Sequence, residues 1–597
     1  MQEENFWEYY GIGTCWRETW ENGKCIWHAD EQDKPSNEII ERQLAEWNDE
    51  NPLSDSDLEP WEDLDGAILD SVIFDRKPNF SKCSLQFSSF DSVKCEGIDL
   101  REAILLGSDF TNSYLQGARL EEANMRKTKF ENAYLGSASL ENANIEHSNF
   151  KSGIFANSLF SNARLTNTTF DDSNLQNAKL NHTMATKTSF KKSNLTGVEL
   201  VDGVFREGDF EKAVLRDADA SKSDLRFTTF EQANLRDANL NEANLFRSNL
   251  KNAKLPFASL ERALLRRANL NEANLSDAKL VDASANDSDL ENANLSESTL
   301  KNSSFTDASL KKTNINLAEL DDANFQRADL EQSDLSMSSC SGTNFESSNL
   351  NYVDADGTNF TDARLYKARL QDIYITGSTD FGDRCFYDKE AGPIEYHSSL
   401  YKRLINSFNR FRYWMKITPN KTEEPVEDLS RAQHIYRIYE RLHRENSLID
   451  GISSNFVKAK YAQQRLKLAK NQWLGWLDLS ARRWTMQYGE SPWRIIGTSL
   501  FIIGLFALLY PLSGGVITSG DGIAHEIISP FDISLYDAPV GGWLLSVYFS
   551  TVTFTTLGFG DVSPNGALAQ TLAAAESFMG AILLALFVAV VARRKMR

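Results

Sequence analysis

The chain has 597 residues, room for roughly three to five domains, and its 41% hydrophobic and 25% charged residues look globular on average. Six cysteines are too sparse for a disulfide framework, and seven scattered histidines without a phosphate loop, nucleophile elbow or strong metal motif argue against an enzyme. The net charge of −21 is unevenly spread: residues 1–63 hold about 14 more acids than bases, and residues 396–495 are about 9 positive. An acidic arm and a basic segment in one chain point to a membrane or an intramolecular partner before nucleic acid.

MQEENFWEYYG lacks a basic start followed by an apolar run, so no signal peptide is expected and the N-terminus is expected in the cytosol. Residues 1–62 form an acidic arm with Trp7, Trp16, Trp20, Trp27, Trp47 and Trp61. It reads either as a small cap over the open end of the repeat that follows, or as a partner-binding arm. Cys15, Cys25 and His28 offer three ligands of a weak zinc site with no clear fourth; reduced thiols are the alternative.

Residues 63–380 repeat with a period of five. Positions 100, 105, 110, 115 and 120 read Leu, Leu, Phe, Leu, Leu, and the register runs from Phe80 to Ile375, about sixty units. It slips by one at Pro78, and Leu64, Leu69 and Phe74 continue it upstream. Two positions before each large residue sits a small one, as in Ala118, Ala123, Ala133 and Ala143. Five fits neither a helix nor a flat strand. It fits a chain that turns a corner every five residues, with one large and one small side chain inside a narrow shaft. Four corners close a coil of about twenty residues, and coils stacked at about 4.8 Å make a rod roughly 70 Å long. ANLRDANLNEANL, residues 233–245, resembles the pentapeptide-repeat family, which implies a right-handed quadrilateral β-helix. Ala185, Ala220, Ala285 and Ala355 replace the large residue, and looser packing is expected there.

Residues 381–472 read as an α-helical connector. One helix is expected over 430–446, with Ile435, Ile438, Tyr439 and Leu442 on a stripe, and a second over 452–471, joined through Asp450-Gly451. Residues 418–425 read as a loop. Such a pair is a structural connector or a regulatory ligand or partner site. Residues 473–492 alternate Trp and Leu with Arg482 and Arg483, as suits a helix in the headgroup layer.

Residues 493–597 carry two spans, 494–512 and roughly 568–592, each long enough to cross a bilayer. Bases flank both: Arg482, Arg483 and Arg494 before the first, Arg593, Arg594, Lys595 and Arg597 after the second. The loop 513–545 has Asp521, Glu526, Asp532 and Asp537 and no base. The positive-inside rule therefore puts both termini in the cytoplasm, with the plasma membrane as the expected location. Between the spans, residues 543–554 are apolar but too short to cross, so they read as a helix that enters and returns. The Gly-Phe-Gly that follows lets backbone carbonyls line one path.

Thr553-Phe554-Thr555-Thr556-Leu557-Gly558-Phe559-Gly560-Asp561 resembles the potassium-channel signature T-x-T-T-V-G-Y-G-D. The resemblance implies a homotetramer with ion-binding carbonyls from the TLGFG filter: Thr556, Leu557, Gly558, Phe559 and Gly560. It assigns filter support to Thr555 and Asp561 and a gating hinge to Gly580. Leu557 and Phe559 stand for Val and Tyr, which removes a hydroxyl behind the filter and weakens the case for strict selectivity. Val552 sits where some relatives carry an acid that braces the aspartate, so Asp561 is expected to be held differently. Glu576, near the start of the second span, is expected to face the pore, to bond the back of the filter, or to reach the outer interface.

No span carries Arg at every third position, so no voltage sensor is expected. The sequence ends about five residues past the second span, so a sensor is expected upstream, acting through the first span. The reading is a tetrameric channel passing monovalent cations, K+ above all, across the lipid bilayer. No cofactor is expected beyond permeant K+, no nucleic acid, and an unknown cytosolic ligand or partner for the repeats. The alternatives are a membrane-tethered scaffold, partner-binding or DNA-mimicking, with the pore secondary, or a non-selective cation channel.

Overall fold

The computed structural model describes residues 64–74, 77–391, 424–470, 472–513, 516–518 and 540–595. The arm 1–62 with Cys15, Cys25 and His28, residues 418–423, and Asp521, Glu526, Asp532 and Asp537 lie outside the described residues. The chain forms two compact units, one ending at Asp383 and one running from Arg384 to Arg597.

In the first unit the fivefold register is buried. Leu100, Leu105, Phe110, Leu115 and Leu120 are each 0% exposed. Each side of a coil contributes one bridging residue, paired in parallel with the residue twenty further on, as Asp99 with Arg119 and Ile104 with Asn124. Five residues to a side and twenty to a coil make a right-handed quadrilateral β-helix. At the slip, Ile73 pairs with Lys94 and Asn79 with Asp99, so one extra residue is absorbed while Leu64, Leu69 and Phe74 stay inside.

The corners add a demand that polarity alone does not reveal. The second residue after each large one has positive φ: Glu102 at 57°, Asn112 at 55°, Lys127 at 57°. A hydrogen bond across the turn, such as Ala103 N–H to the Leu100 carbonyl at 3.2 Å, closes it. This left-handed conformation costs an L-residue about 1–2 kcal/mol, least for Gly, Asn and Asp. Inside the shaft, most Ser and Thr hydroxyls at the small position donate to a carbonyl, some in their own turn, as Thr183 to Leu180 at 2.8 Å, and others one coil back. Ser108 donates to Leu85 at 2.5 Å, Thr188 to Leu165 at 2.6 Å and Thr343 to Leu320 at 2.7 Å. One column stacks Phe90, Phe110, Phe130, Phe150, Phe170, Phe190, Phe210 and Phe230, with neighbouring ring centroids 4.5–5.2 Å apart. Ala185, Ala220, Ala285 and Ala355 are buried, and the bridges Met184–Val204 and Ser284–Ser304 set Phe205 and Phe305 beside the first and third in their column.

The second unit is helical. Helix α1 (Phe386–Glu390) is tied to the hairpin of α2 (Glu424–Glu445) and α3 (Ile449–Ala469) by Asp388. That carboxylate is 5% exposed, pairs with Arg465 at 2.5 Å and accepts from the Tyr436 hydroxyl at 2.9 Å. Leu429, Ala432, Ile435, Tyr436, Tyr439 and Leu442 form the buried stripe of α2. The hairpin turns at residues 446–448, with Ser447 at φ 60°, and not at Asp450-Gly451, which lie inside α3. Gly451 serves close packing instead: a side chain there would run into the His443 ring.

Helix α4 (Trp473–Met486) runs through a short 3-10 turn, Gln487–Gly489, into α5 (Pro492–Leu512). Strand β1 (Val516–Thr518) pairs antiparallel with β2 (Val562–Pro564), and α6 (Val540–Phe554) and α7 (Gly566–Lys595) complete the unit. Helices α5 and α7 are long and apolar enough to cross a membrane. Two small cores bind α5, α6 and α7: Phe506, Tyr510, Val516, Phe549 and Ala569 in one, Ile495, Phe554, Leu583 and Val590 in the other.

Candidate functional site

Helix α6 ends at Phe554 between the two long helices, and residues 555–561 follow as an exposed loop ahead of β2. Two bonds turn the chain out of the helix: Thr556 N–H to the Thr553 carbonyl and Leu557 N–H to the Val552 carbonyl, both 3.1 Å. Beyond them φ alternates in sign. Thr556 stands at 59°, Gly558 at 46° and Gly560 at 78°, while Leu557 and Phe559 are not positive. Among the described residues, no hydrogen bond ends on the carbonyls of Thr556, Leu557, Gly558 or Phe559. Gly meets the left-handed requirement cheaply; Thr556 meets it as an L-residue, at a cost.

The surroundings hold this loop. The Tyr548 hydroxyl donates to Asp561 Oδ2 at 2.7 Å. Tyr548 lies one helical turn before Val552, on the same side of α6. Its partner is thirteen residues away across the loop, and the sequence reading missed it. Thr555 is exposed, and its hydroxyl donates back to the Thr551 carbonyl of α6 at 2.7 Å.

Glu576 lies behind the loop, bonded to the helix that leads into it, and does not reach the outer surface. It is 0% exposed and bonds α5 and α6, not the loop. Tyr510 donates to Oε2 at 2.5 Å, and Ser550 donates to Oε1. The carboxyl thus joins all three helices behind the loop. The Ile503 carbonyl of α5, 2.9 Å from the Ser550 hydroxyl, is an alternative acceptor for the same proton.

Gly580 lies within an unbroken α7 of 30 residues. A methyl built on it would sit 2.8 Å from the carbonyl carbon of Phe554 and nearer still to the oxygen, because α7 crosses the end of α6 here. The structure therefore gives this glycine a packing role that the hinge reading did not include. Among the described residues, no group of three or more His, Cys, Asp or Glu could hold a metal ion.

Comparison with known families agrees with this division. Residues 79–117, 113–155, 158–197, 173–211, 200–237, 223–256 and 338–377 match pentapeptide repeats, residues 258–335 a pentapeptide repeat region, and residues 527–597 an ion channel family. The chain joins pentapeptide repeats to an ion-channel domain. Two pore potassium channel a of Oryza sativa subsp. japonica is 35% identical over 94 residues, 16% of this chain and 24% of that protein. The chain thus spans about a quarter of the length of this curated relative. HetL, a pentapeptide repeat protein involved in heterocyst differentiation regulation in the cyanobacterium Nostoc sp., is 24% identical. The match covers 39% of this chain and 86% of that one, with a TM-score of 0.18. A pentapeptide repeat protein of the Arabidopsis thaliana thylakoid lumen is 26% identical over 18% of this chain and 65% of that one, with a TM-score of 0.13. At such scores the fold rests on the bridges and burial described above.

Proposed function

We propose that four copies of this chain assemble around one axis into a potassium-conducting channel, with residues 555–561 as its filter. The single observation that carries this is the alternation of φ along Thr556, Leu557, Gly558, Phe559 and Gly560 in an exposed loop between two membrane-length helices. Alternating handedness gathers successive N–H groups on one side of a strand and carbonyls on the other. Carbonyls so arranged replace the water around a cation, and rings of them select among cations. The C-terminal end of α6 adds its partial negative charge beside the path. An irregular backbone at membrane depth must line water or be covered by protein. In one chain it is exposed, so neighbouring copies complete it.

The remaining parts follow. Trp473, Leu474, Leu477 and Trp484 are exposed, which suits residues 473–492 lying in the headgroup layer. Bases beside the inner ends of both spans put the termini in the cytoplasm, with the β-helix of residues 63–380 as a cytosolic sensor or scaffold. The rice relative is named as a potassium channel, which supports K+ as the ion. One observation favours a second reading, non-selective cation conduction: Phe559 lacks the hydroxyl that a tyrosine would set behind the filter.

Purified protein in planar bilayers decides between them through reversal potentials in mixed potassium and sodium solutions. A reversal near the potassium potential supports the first reading and a reversal near zero the second. Absence of current under every stimulus, with Gly558→Ala tolerated in cells, removes both.

A further inference from the structure

The elbow between α4 and α5 touches more than its neighbours in sequence. Glu490, its side chain 10% exposed, accepts the Ser453 hydroxyl of α3 on Oε2 at 2.5 Å. Its other oxygen, Oε1, lies 3.4 Å from Nη2 of Arg593, near the cytosolic end of α7. The guanidinium carbon of Arg593 stands 4.7 Å from the centroid of the Phe456 ring, one turn along α3 from Ser453. The elbow is itself fixed to α3: the Tyr488 hydroxyl donates to Gln464 Oε1 at 2.6 Å, and Gln464 Nε2 donates to Ser480 of α4 at 2.6 Å. Glu490 N–H closes the turn on the Met486 carbonyl at 3.1 Å.

The charges around this point are mostly positive, with Glu440 near Lys460 and Asp478 paired to Arg482 as the acids. Lys460 lies 5.7 Å from the same Phe456 ring. Burial, then Arg437, Arg482 and Arg593, hold its ammonium below the usual lysine value. A cation at the end of α7 would be repelled by this surface without Glu490. The carboxylate is the buried partner, 10% exposed against 39% for Arg593, so removing the arginine strands a buried charge, whereas removing Glu490 leaves a half-exposed one among bases.

We infer that Glu490 is a positioning residue for gating: it fastens the cytosolic end of the inner helix α7 to the connector helix α3, so the connector acts on the pore directly. This rests on the channel reading above and adds a direct route to the expected one through the first span. Helix α5 packs beside this point, Ile495 sharing a core with Val590, and the Glu490–Arg593 pair adds the polar link from α7 to α3. Movement of α3 that carries Ser453 and Phe456 away takes Arg593 with it or releases it.

Charge reversal tests the pair. In bilayer recordings, Glu490→Arg and Arg593→Glu each shift open probability by about tenfold or more, with unitary conductance and reversal potential unchanged. The double variant returns it to within about threefold of the wild type. A structural role alone would not give rescue by reversal. Should reversal hinder folding, Glu490→Gln is the second variant: amides in the last two turns of α7 exchange faster with solvent, while those around Gly580 do not. Single variants with unchanged open probability and exchange overturn the inference, as does a double variant whose defect is the sum of the singles. Exchange needs no current, so a silent wild-type protein would remove the channel reading and leave this one to be decided.

Discussion

Replacing Gly580 by Ala separates two roles for one residue. As a hinge alone, the glycine weakens α7, and alanine would stabilise the helix by about 1 kcal/mol. The geometry predicts the reverse. The new methyl would lie 2.8 Å from the Phe554 carbonyl carbon and 3.1 Å from its Cα. Ordinary carbon contacts are about 3.5–4.0 Å, so α6 and α7 must part by about 1 Å. The obstacle is backbone, so no rotamer change relieves it. Overpacking of this kind costs about 1–3 kcal/mol per subunit, which offsets the helix gain or exceeds it.

The displacement also has a direction. Phe554 ends α6 and stands two residues before Thr556, the first left-handed residue of the loop. Gly580→Ala is therefore expected to lower the thermal midpoint of the detergent-solubilised assembly and to degrade potassium over sodium discrimination. Differential scanning fluorimetry and bi-ionic reversal potentials on the same preparation measure both. A variant as stable as the wild type, with the same reversal potential and only an altered open probability, would refute the packing role and restore the hinge.

Other expectations are independent of that one. Tyr548→Phe removes the donor to Asp561 and should raise the rate at which current declines during sustained opening, with assembly unchanged; an identical decline shows that Asp561 needs no brace. Glu576→Ala leaves the buried Tyr510 hydroxyl without its acceptor, at about 1–3 kcal/mol, while Ser550 still has the Ile503 carbonyl; Glu576→Gln keeps an acceptor in place. The alanine variant should melt well below the glutamine variant, and equal midpoints would contradict the network. Phe170→Ala empties a place between Phe150 and Phe190, 4.9 and 5.2 Å away, and should destabilise the repeat by about 3–5 kcal/mol, read as a lower urea midpoint. In a Cys15→Ser, Cys25→Ser background, thiol reagents at pH 8 should label nothing until the protein unfolds. Cys83, Cys95, Cys340 and Cys385 are buried, and burial pushes the Cys385 thiol up to about 12, so almost none is thiolate. Fast native labelling would contradict that.

The β-helix was legible because each coil repeats one local rule, and its partner is always twenty residues away. Leu and Phe at every fifth position state the rule openly. The left-handed corners were hidden behind it, since exposure already accounts for Asn, Asp and Lys there, and φ leaves no separate mark on composition. Asp450-Gly451 misled for a related reason. The dipeptide is a turn signal, but here the glycine serves the approach of His443, and the chain turns at Ser447 instead. In the loop after α6 the Gly-Phe-Gly motif was readable because backbone conformation requires it. What holds it was not. Tyr548 to Asp561, Tyr510 to Glu576 and Glu490 to Arg593 join residues 13, 66 and 103 apart. No period or spacing connects such pairs; only helix packing brings them together.

Those pairs share a physical character that bears on how the second unit works. Asp388 holds α1 to α2 and α3, Glu490 holds α3 to α7, Gly580 seats α7 on α6, and α6 ends in the loop. Each joint is a short polar contact or a backbone approach, with little room to slide. Apolar contacts, by comparison, tolerate small shifts between helices. A series of stiff joints transmits displacement, whereas soft ones absorb it. Proximity does not establish such transmission; each joint has to bias the same two states. The series nonetheless fixes the order in which failures act. Loosening Glu490 cuts α7 off from the connector while the filter keeps its form. Loosening Gly580 should deform the proposed filter, residues 555–561, while the connector still reaches α7. Selectivity and gating should therefore fail separately, and a variant at either joint that damaged both alike would mean the joints are not in series.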